Sequence, residues 1–144
     1  MIEQLRREHL LGFEIQDAQP DGIDELQNEL LMQTLIDNKS CFSFVEAGTG
    51  ICLAIMGYYH LGKNRYHCFS YLHKEAGRRL SSITRMALGI IDSIPNYRRL
   101  ELVVRGGFNE GHRWASMLGF NCETPNGMQN FVEGETHYLY ARCK

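Results

Sequence analysis

One stretch limits what this chain can fold into more than any other: Arg99 to Phe120, RLELVVRGGFNEGHRWASMLGF. Leu100, Leu102, Val103 and Val104 make a short apolar run of the kind that a buried strand needs. Gly106-Gly107 breaks it, because paired glycines favour a tight turn or a splayed strand end. Asn109-Glu110-Gly111 then leads into a short helix, His112 to Leu118, whose Trp114, Met117 and Leu118 fall three and four apart on one face. Gly119 stops that helix where a left-handed backbone is favoured, and Phe120 opens the next extended segment.

The rest of the chain supplies partners for this unit. Residues 2 to 11 read as a short amphipathic helix with Ile2, Leu5 and Leu10 or Leu11 on its apolar side, and Leu11 to Ile15 reads equally as a first strand. Asp17 to Gly22 is a turn. Asp21 or Asp24 caps a helix running to about Ile36, with Ile23, Leu26, Leu30, Leu31, Thr34 and Leu35 on its apolar face and Asp37-Asn38-Lys39 at its end. From Cys41 the period changes. Cys41 to Ala47, Ile51 to His60 and Tyr66 to Leu72 read as strands joined by turns at Gly48–Gly50 and Leu61–Asn64, an antiparallel meander. A helix follows over Gly77 to Ser93, with Leu80, Ile83, Thr84, Ala87, Ile90, Ile91 and Ile94 toward a core, and Pro95 ends it. Past Phe120, Thr124-Pro125-Asn126-Gly127 is a turn, and Glu135 to Ala141 alternates as a last strand paired with the segment that Phe120 opens. The order is α/β with one mixed sheet, and a parallel step is required wherever a helix separates two neighbouring strands.

Composition bounds the class. At 144 residues, 44% hydrophobic and 22% charged, the expectation is a single globular domain over 1–144. A net charge of −2 gives no case for bulk nucleic-acid binding. No apolar run is long enough to span a bilayer, and the mixed-charge start MIEQLRREHLLGF does not read as a secretory signal. The 5 cysteines, Cys41, Cys52, Cys68, Cys122 and Cys143, form no CxxC pair, which points to a reducing, cytoplasmic compartment, to no metal site, and to each cysteine as a small buried hydrophobe.

Strand, helix, three-strand meander, helix, strand, short helix and strand, with Asn109 and Leu118-Gly119-Phe120 in the second half, resembles the GNAT acyltransferase family over about Leu11 to Cys143. The resemblance implies a mixed sheet with an antiparallel meander, helices on both faces and a splayed parallel pair, here Tyr66–Leu72 and Leu100–Val104. It places the pantetheine arm of acetyl-CoA, or CoA, in the splay and the pyrophosphate at the start of the following helix, where unpaired N–H groups and the dipole favour an anion. The family's phosphate motif of Gln or Arg, two residues, Gly, one residue, then Gly or Ala falls on Lys74, Glu75, Ala76, Gly77, Arg78 and Arg79. Lys74 and the long Arg79 depart from it. By the same resemblance Leu72, Lys74, Gly77, Arg78, Arg79 and Asn109 form the cofactor set, with a backbone N–H near Leu72 polarising the thioester carbonyl.

The family's thiolate-protonating Tyr, four residues before the Gly, is Ala115 here, and the spacing from Asn109 is one residue short. His112 is the substitute acid, and the groups available as a base are Glu101, Glu46, His73 and Glu75. Glu101 alternates with apolar strand residues, a pattern that also allows it to face solvent. Two readings are open. One is an N-acyltransferase that moves an acetyl group to an amine by direct attack, on a small amine-bearing molecule or a protein, with Glu101, His73 and His112 as catalytic candidates and no metal. The other is a non-catalytic scaffold that binds a protein, for a looser likeness joins the chain to degenerate GNAT-like proteins of short-tailed phages that act inside the virion or in head assembly. These readings imply a homodimer or a protein partner, no nucleic acid, no membrane, and a place in the cytoplasm, of a host if phage-encoded, or in a virion.

Overall fold

Residues 52–57 are buried in one unbroken run, the pattern of a strand covered on both faces, while the long helix keeps its 3.6-residue period. The computed structural model describes residues 1–20 and 28–144. In chain order the elements are β1 (Ile2–Gln4), α1 (Arg7–Leu10), α2 (Glu29–Asp37), β2 (Cys41–Val45), β3 (Cys52–Gly62), β4 (Arg65–Leu72), a 3-10 turn (Ala76–Arg79), α3 (Leu80–Ser93), β5 (Arg99–Arg105), α4 (Asn109–Met117), β6 (Asn121–Cys122), β7 (Met128–Val132) and β8 (Glu135–Cys143). The strands follow the order β1-β2-β3-β4-β5-β8-β6 in one sheet, with β7 on β8. Most neighbours are antiparallel and β4–β5 is the parallel pair, with partners Arg65↔Arg99, Tyr66↔Leu100 and His67↔Glu101. The chain divides into two compact units.

The first unit comprises Met1–Tyr59 and Ser70–Asp92. Its core is the run Leu53, Ala54 and Ile55 of β3 together with Ile83, Met86, Ala87 and Ile91 of α3. Those helix positions are spaced three, four and eight from Ile83, one stripe of an amphipathic helix. Met86 belongs to that stripe and Leu80 does not: the latter is exposed in the first turn. At the N-terminus the first strand is Ile2–Gln4, paired with β2 from Ile2↔Phe44 to Gln4↔Phe42. Leu11–Ile15 contributes only an isolated bridge, Ile15↔His73. The caps Asp21 and Asp24 and the face residues Ile23 and Leu26 lie outside the described residues. The helix described as α2 is capped instead by Asn28, whose Oδ1 accepts from the Leu31 N–H at 3.0 Å. Leu35 is its buried residue, while Leu30 is 79% exposed, so the apolar stripe is narrower than its spacing suggested.

The second unit comprises His60–Phe69 and Ser93–Lys144. β8 pairs along the whole of β5, from Arg99↔Cys143 to Arg105↔His137. The expected pairing of the segment after Phe120 with the last strand is present as Asn121↔Ala141 and Cys122↔Tyr140. A strand that the sequence reading left out, β7, returns to β8 through Glu133 and Gly134, both at positive φ, the geometry of a two-residue hairpin turn. Helix α4 begins three residues earlier than its apolar spacing predicts, and it buries Gly111 and Ala115, with Leu118 behind them. Met117 is 67% exposed, because the side turned inward is the 111–115–118 line rather than the 114–117–118 line.

The helix stop at Gly119 is a Schellman turn. The Phe120 N–H donates to the Ala115 carbonyl and the Gly119 N–H to the Ser116 carbonyl, each at 3.0 Å, with Gly119 at φ +87°. A Cβ there meets only the Arg142 side chain, at 3.5 Å or more, so any penalty comes from the backbone conformation and not from a clash. Gly119→Val is therefore expected to cost about 1–2 kcal/mol, read as a fall of roughly 2–8 °C in a thermal melt. An unchanged melting temperature would refute this account of the helix end.

Candidate functional site

The end of β4 carries the groups on which a ligand would act. The His73 N–H donates to the Leu53 carbonyl of β3 at 2.9 Å. Backbone groups of successive strand residues point to opposite edges, so Ser70, Leu72 and Lys74 turn theirs away from β3. A segment from Glu14 to Gln19 meets that outer edge. The Lys74 N–H donates to the Glu14 carbonyl and the Gln16 N–H to the Leu72 carbonyl, both at 2.9 Å, flanking the Ile15↔His73 bridge. The Gln19 carboxamide continues the pattern with its side chain: Nε2 donates to the Ser70 carbonyl at 2.8 Å and Oε1 accepts from the Leu72 N–H at 3.0 Å. Gln16 Nε2 steadies it with a further bond to Oε1 at 2.9 Å. Leu72 is thus placed at an edge that binds an amide, and the amide it binds is the chain's own.

Beyond the strand, the helix start gathers charge of both signs. Glu46, which follows β2, is buried and accepts from Arg78 Nη2 at 2.8 Å, Arg78 Nε at 3.3 Å, Arg79 Nε at 2.7 Å and the Thr49 hydroxyl at 2.9 Å. The bonds from Arg78 first, then Arg79 and Thr49, hold its carboxyl down at about 2. Arg78 also meets Glu75 at 2.9 Å, and Lys74 meets Glu14 at 2.8 Å. Each cation expected to serve a phosphate therefore already faces a carboxylate. Gly77 stands between them, and a Cβ on it would have open space.

His73 is buried beside this edge. Its Nδ1 accepts the Glu75 N–H at 3.1 Å, which leaves the ring proton on Nε2, 4.0 Å from Glu14 Oε2. Its ring meets Phe13 edge-on at 5.6 Å and lines a cavity of about 470 Å³ with Glu3, His9 and Cys52. The imidazole acts here as a cap on the turn after β4.

The remaining candidates lie in the second unit. Glu101 is buried, in contrast to the solvent-facing place that its alternation allowed. Arg65 holds it with two bonds, 2.8 and 3.2 Å, and Arg99 with one of 2.7 Å, while Arg99 also pairs with Glu123. The Arg65 contact, ahead of the Arg99 one, keeps the Glu101 carboxyl below the usual range. His112 sits in α4, where Nε2 faces the Gly106 carbonyl at 3.1 Å and Nδ1 faces the Tyr140 hydroxyl at 2.8 Å. A carbonyl only accepts, so Nε2 carries the proton and Nδ1 takes the Tyr140 O–H. His112 pins α4 to the end of β5 and to β8. Asn109 is exposed at the first turn of α4, and Ala115, at the position of the family's Tyr, is 2% exposed.

Cys41, Cys52 and Cys68 are held by burial with thiols pushed up to about 12, 11 and 12, so they stay protonated at neutral pH. Cys122 and Cys143 are exposed, unlike the buried places expected for them. Among the described residues no group of three His, Cys, Asp or Glu side chains is arranged to hold a metal ion, and no helix is long and apolar enough to cross a membrane.

No family model matches the chain, and no curated protein matches it in sequence. Solved structures do. An acetyltransferase of the GNAT family from Bacillus cereus superposes with a TM-score of 0.73 at 12% identity, covering 100% of this chain and 96% of its own. Ard1 from Thermoplasma volcanium gives 0.73 at 16% identity, covering 99% and 96%. Spermidine/spermine N-acetyltransferase from Vibrio cholerae gives 0.68 at 14% identity, covering 99% and 91%. At these identities the likeness is one of fold, and the fold is that of the GNAT acetyltransferases.

Two outcomes follow from the ion pairs and the His112 contacts. Because the Glu46 carboxyl titrates at about 2 in the folded chain against an ordinary 4.5, its contribution to stability is complete above about pH 4.5 and is lost as the pH falls toward 2. Glu46→Gln should be less stable than wild type at neutral pH, and urea titrations should show the gap closing across that window. A gap that persists at pH 2 would mean that the carboxylate is not the cause. Tyr140→Phe removes the bond to His112 Nδ1 and should cost about 1 kcal/mol, measured by the same titrations at pH 7.

Proposed function

We propose that this chain binds acetyl-CoA and transfers the acetyl group to an amine. The single observation that carries the reading is the outer edge of β4. Ser70 and Leu72 hold a carboxamide by both its N–H and its C=O, the contact an amide-bearing pantetheine arm requires. The fold supports it, and the open space at Gly77 leaves room for close approach at the helix start. On this reading Leu72 and Ser70 take the amide, and Gly77, Arg78, Arg79 and Lys74 take the phosphates once their carboxylate partners release them.

The acceptor amine attacks the thioester carbonyl, forming the C–N bond. A backbone N–H near Leu72, other than the one that holds the arm's amide, would take the tetrahedral oxygen, and collapse would break the C–S bond to release the thiolate. Water carries the proton away from the amine and supplies one to the sulfur. Glu101 is committed to two guanidinium groups, the free proton of His73 sits on Nε2, and Ala115 offers no acid. Spermidine/spermine N-acetyltransferase, by its name, acts on such amines, and its shared fold supports a small polyamine as the first acceptor to try, with a protein N-terminus as the second.

A second reading is favoured by the same surfaces. The paired state of Lys74, Arg78 and Arg79 and the buried Ala115 suit a scaffold that has lost the chemistry and binds a protein, in virion assembly or on a host target. The two readings part on one assay. Incubation with acetyl-CoA and spermidine, followed by thiol release, should show turnover whose rate climbs with pH as the amine loses its proton, up to about pH 10. No thiol release above the buffer rate with either spermidine or a peptide N-terminus would leave the scaffold reading.

A further inference from the structure

We infer that the Glu14–Gln19 segment is a built-in competitor for the acyl carrier, an inference that rests on the acetyl-CoA reading of the β4 edge. Four successive outward groups of that edge are taken by one short strap: the Ser70 carbonyl by Gln19 Nε2, the Leu72 N–H by Gln19 Oε1, the Leu72 carbonyl by the Gln16 N–H and the Lys74 N–H by the Glu14 carbonyl. An isolated surface turn has no need to match a strand edge group for group. This one does so first with its backbone and then, where the backbone turns away at Asp17 and Ala18, with a side-chain amide that reproduces the same donor and acceptor pair. A pantetheine arm needs the Ser70 and Leu72 groups for its own amide, so ligand and strap cannot hold them together.

Strap and edge are anchored very differently. Tyr71, Leu72 and His73 are buried, whereas no residue from Leu10 to Pro20 is. A segment held by a few hydrogen bonds and no core side chain opens at the low end of the local stability range, while the strand beneath it stays in place. The strap therefore behaves as a reversible cover. The helix start repeats the arrangement in charge: Glu46 holds Arg78 and Arg79, and Glu14, itself part of the strap, holds Lys74 by an ion pair of 2.8 Å. Displacing the strap at once frees the amide edge and one phosphate-binding cation. The affinity measured for the carrier is then the intrinsic one reduced by the fraction of molecules whose strap is open.

The experiment is calorimetric titration of CoA into the wild-type chain and into Gln19→Ala, with hydrogen exchange at the Gln16 amide read with and without saturating CoA. Removing the two Gln19 contacts should tighten CoA binding about tenfold, the scale of two net hydrogen bonds. At saturation the Gln16 amide, protected in the free protein by the Leu72 carbonyl, should exchange faster. Equal affinities, with Gln16 still protected at saturation, would overturn the competitor and leave the acetyl-CoA reading standing. CoA that binds neither wild type, nor Gln19→Ala, nor a Gln16→Ala/Gln19→Ala double variant would overturn both. Gln19 and Gln16 are partly exposed side chains outside the core, so these variants test the edge and not the folding of the chain.

Discussion

The hydrogen-bonding demand of one strand, β4, organises the segments around its outer edge. Every backbone N–H and C=O that leaves water needs a partner. β4 meets that need on one edge with β3, and its parallel ladder with β5 is short, ending at His67↔Glu101. Past that point Ser70, Leu72 and Lys74 still present outward groups in a stretch whose Tyr71 and Leu72 are buried. Something has to satisfy them. In this structure the chain satisfies them itself, through Glu14, Gln16 and Gln19.

Buried acids follow a parallel logic in each unit. Glu46 and Glu101 are both removed from water, and each is balanced by two guanidinium groups, Arg78 with Arg79 and Arg65 with Arg99. A buried carboxylate without such partners would be costly, and with them each carboxyl is held below its ordinary range. Such pairing differs from that of a base poised near neutrality, which needs a raised carboxyl and a free lone pair. What they do instead is hold geometry. Glu101 ties the first residues of β4 to β5, and Glu46 ties the β2–β3 turn to the helix start through Arg78, Arg79 and Thr49.

The fold was legible where a single local rule decides. Gly119 needed only its place after an apolar helix, and the meander needed only its apolar runs and glycine turns. The Phe120 segment found β8 as its alternating neighbour suggested. Legibility failed where two rules competed. Met117 and Trp114 are the large apolar residues of α4, yet the inward side of that helix belongs to Gly111 and Ala115, and a Cβ on Gly111 would run into the Phe108 ring at 2.5 Å. In the stretch before β8 the polar residues Gln129, Asn130 and Glu133 hide a hairpin whose turn is set by the positive φ of Glu133 and Gly134. Leu72 and the Lys74–Arg79 helix start are the candidates that the motif names. Their partners are not named by it, since Glu46 lies 32 residues from Arg78 and Gln19 lies 53 from Leu72, and Gln16 and Gln19 look like ordinary turn residues.

The departures from the family's pattern have a common physical sense. A bulky Arg79 in place of a small residue would crowd a phosphate if it lay over the helix start, but Glu46 draws it to one side. An Ala115 in place of a Tyr removes the proton donor, and at 2% exposure that position is part of the packing of α4. On the acetyl-CoA proposal, a strand edge that holds an amide, cations already paired with carboxylates and an alanine in place of a phenol leave position, more than proton transfer, as the source of rate. The rate would then follow the protonation of the acceptor and the opening of the strap. On the same proposal, carrier binding is the step on which the strap and the paired cations bear most.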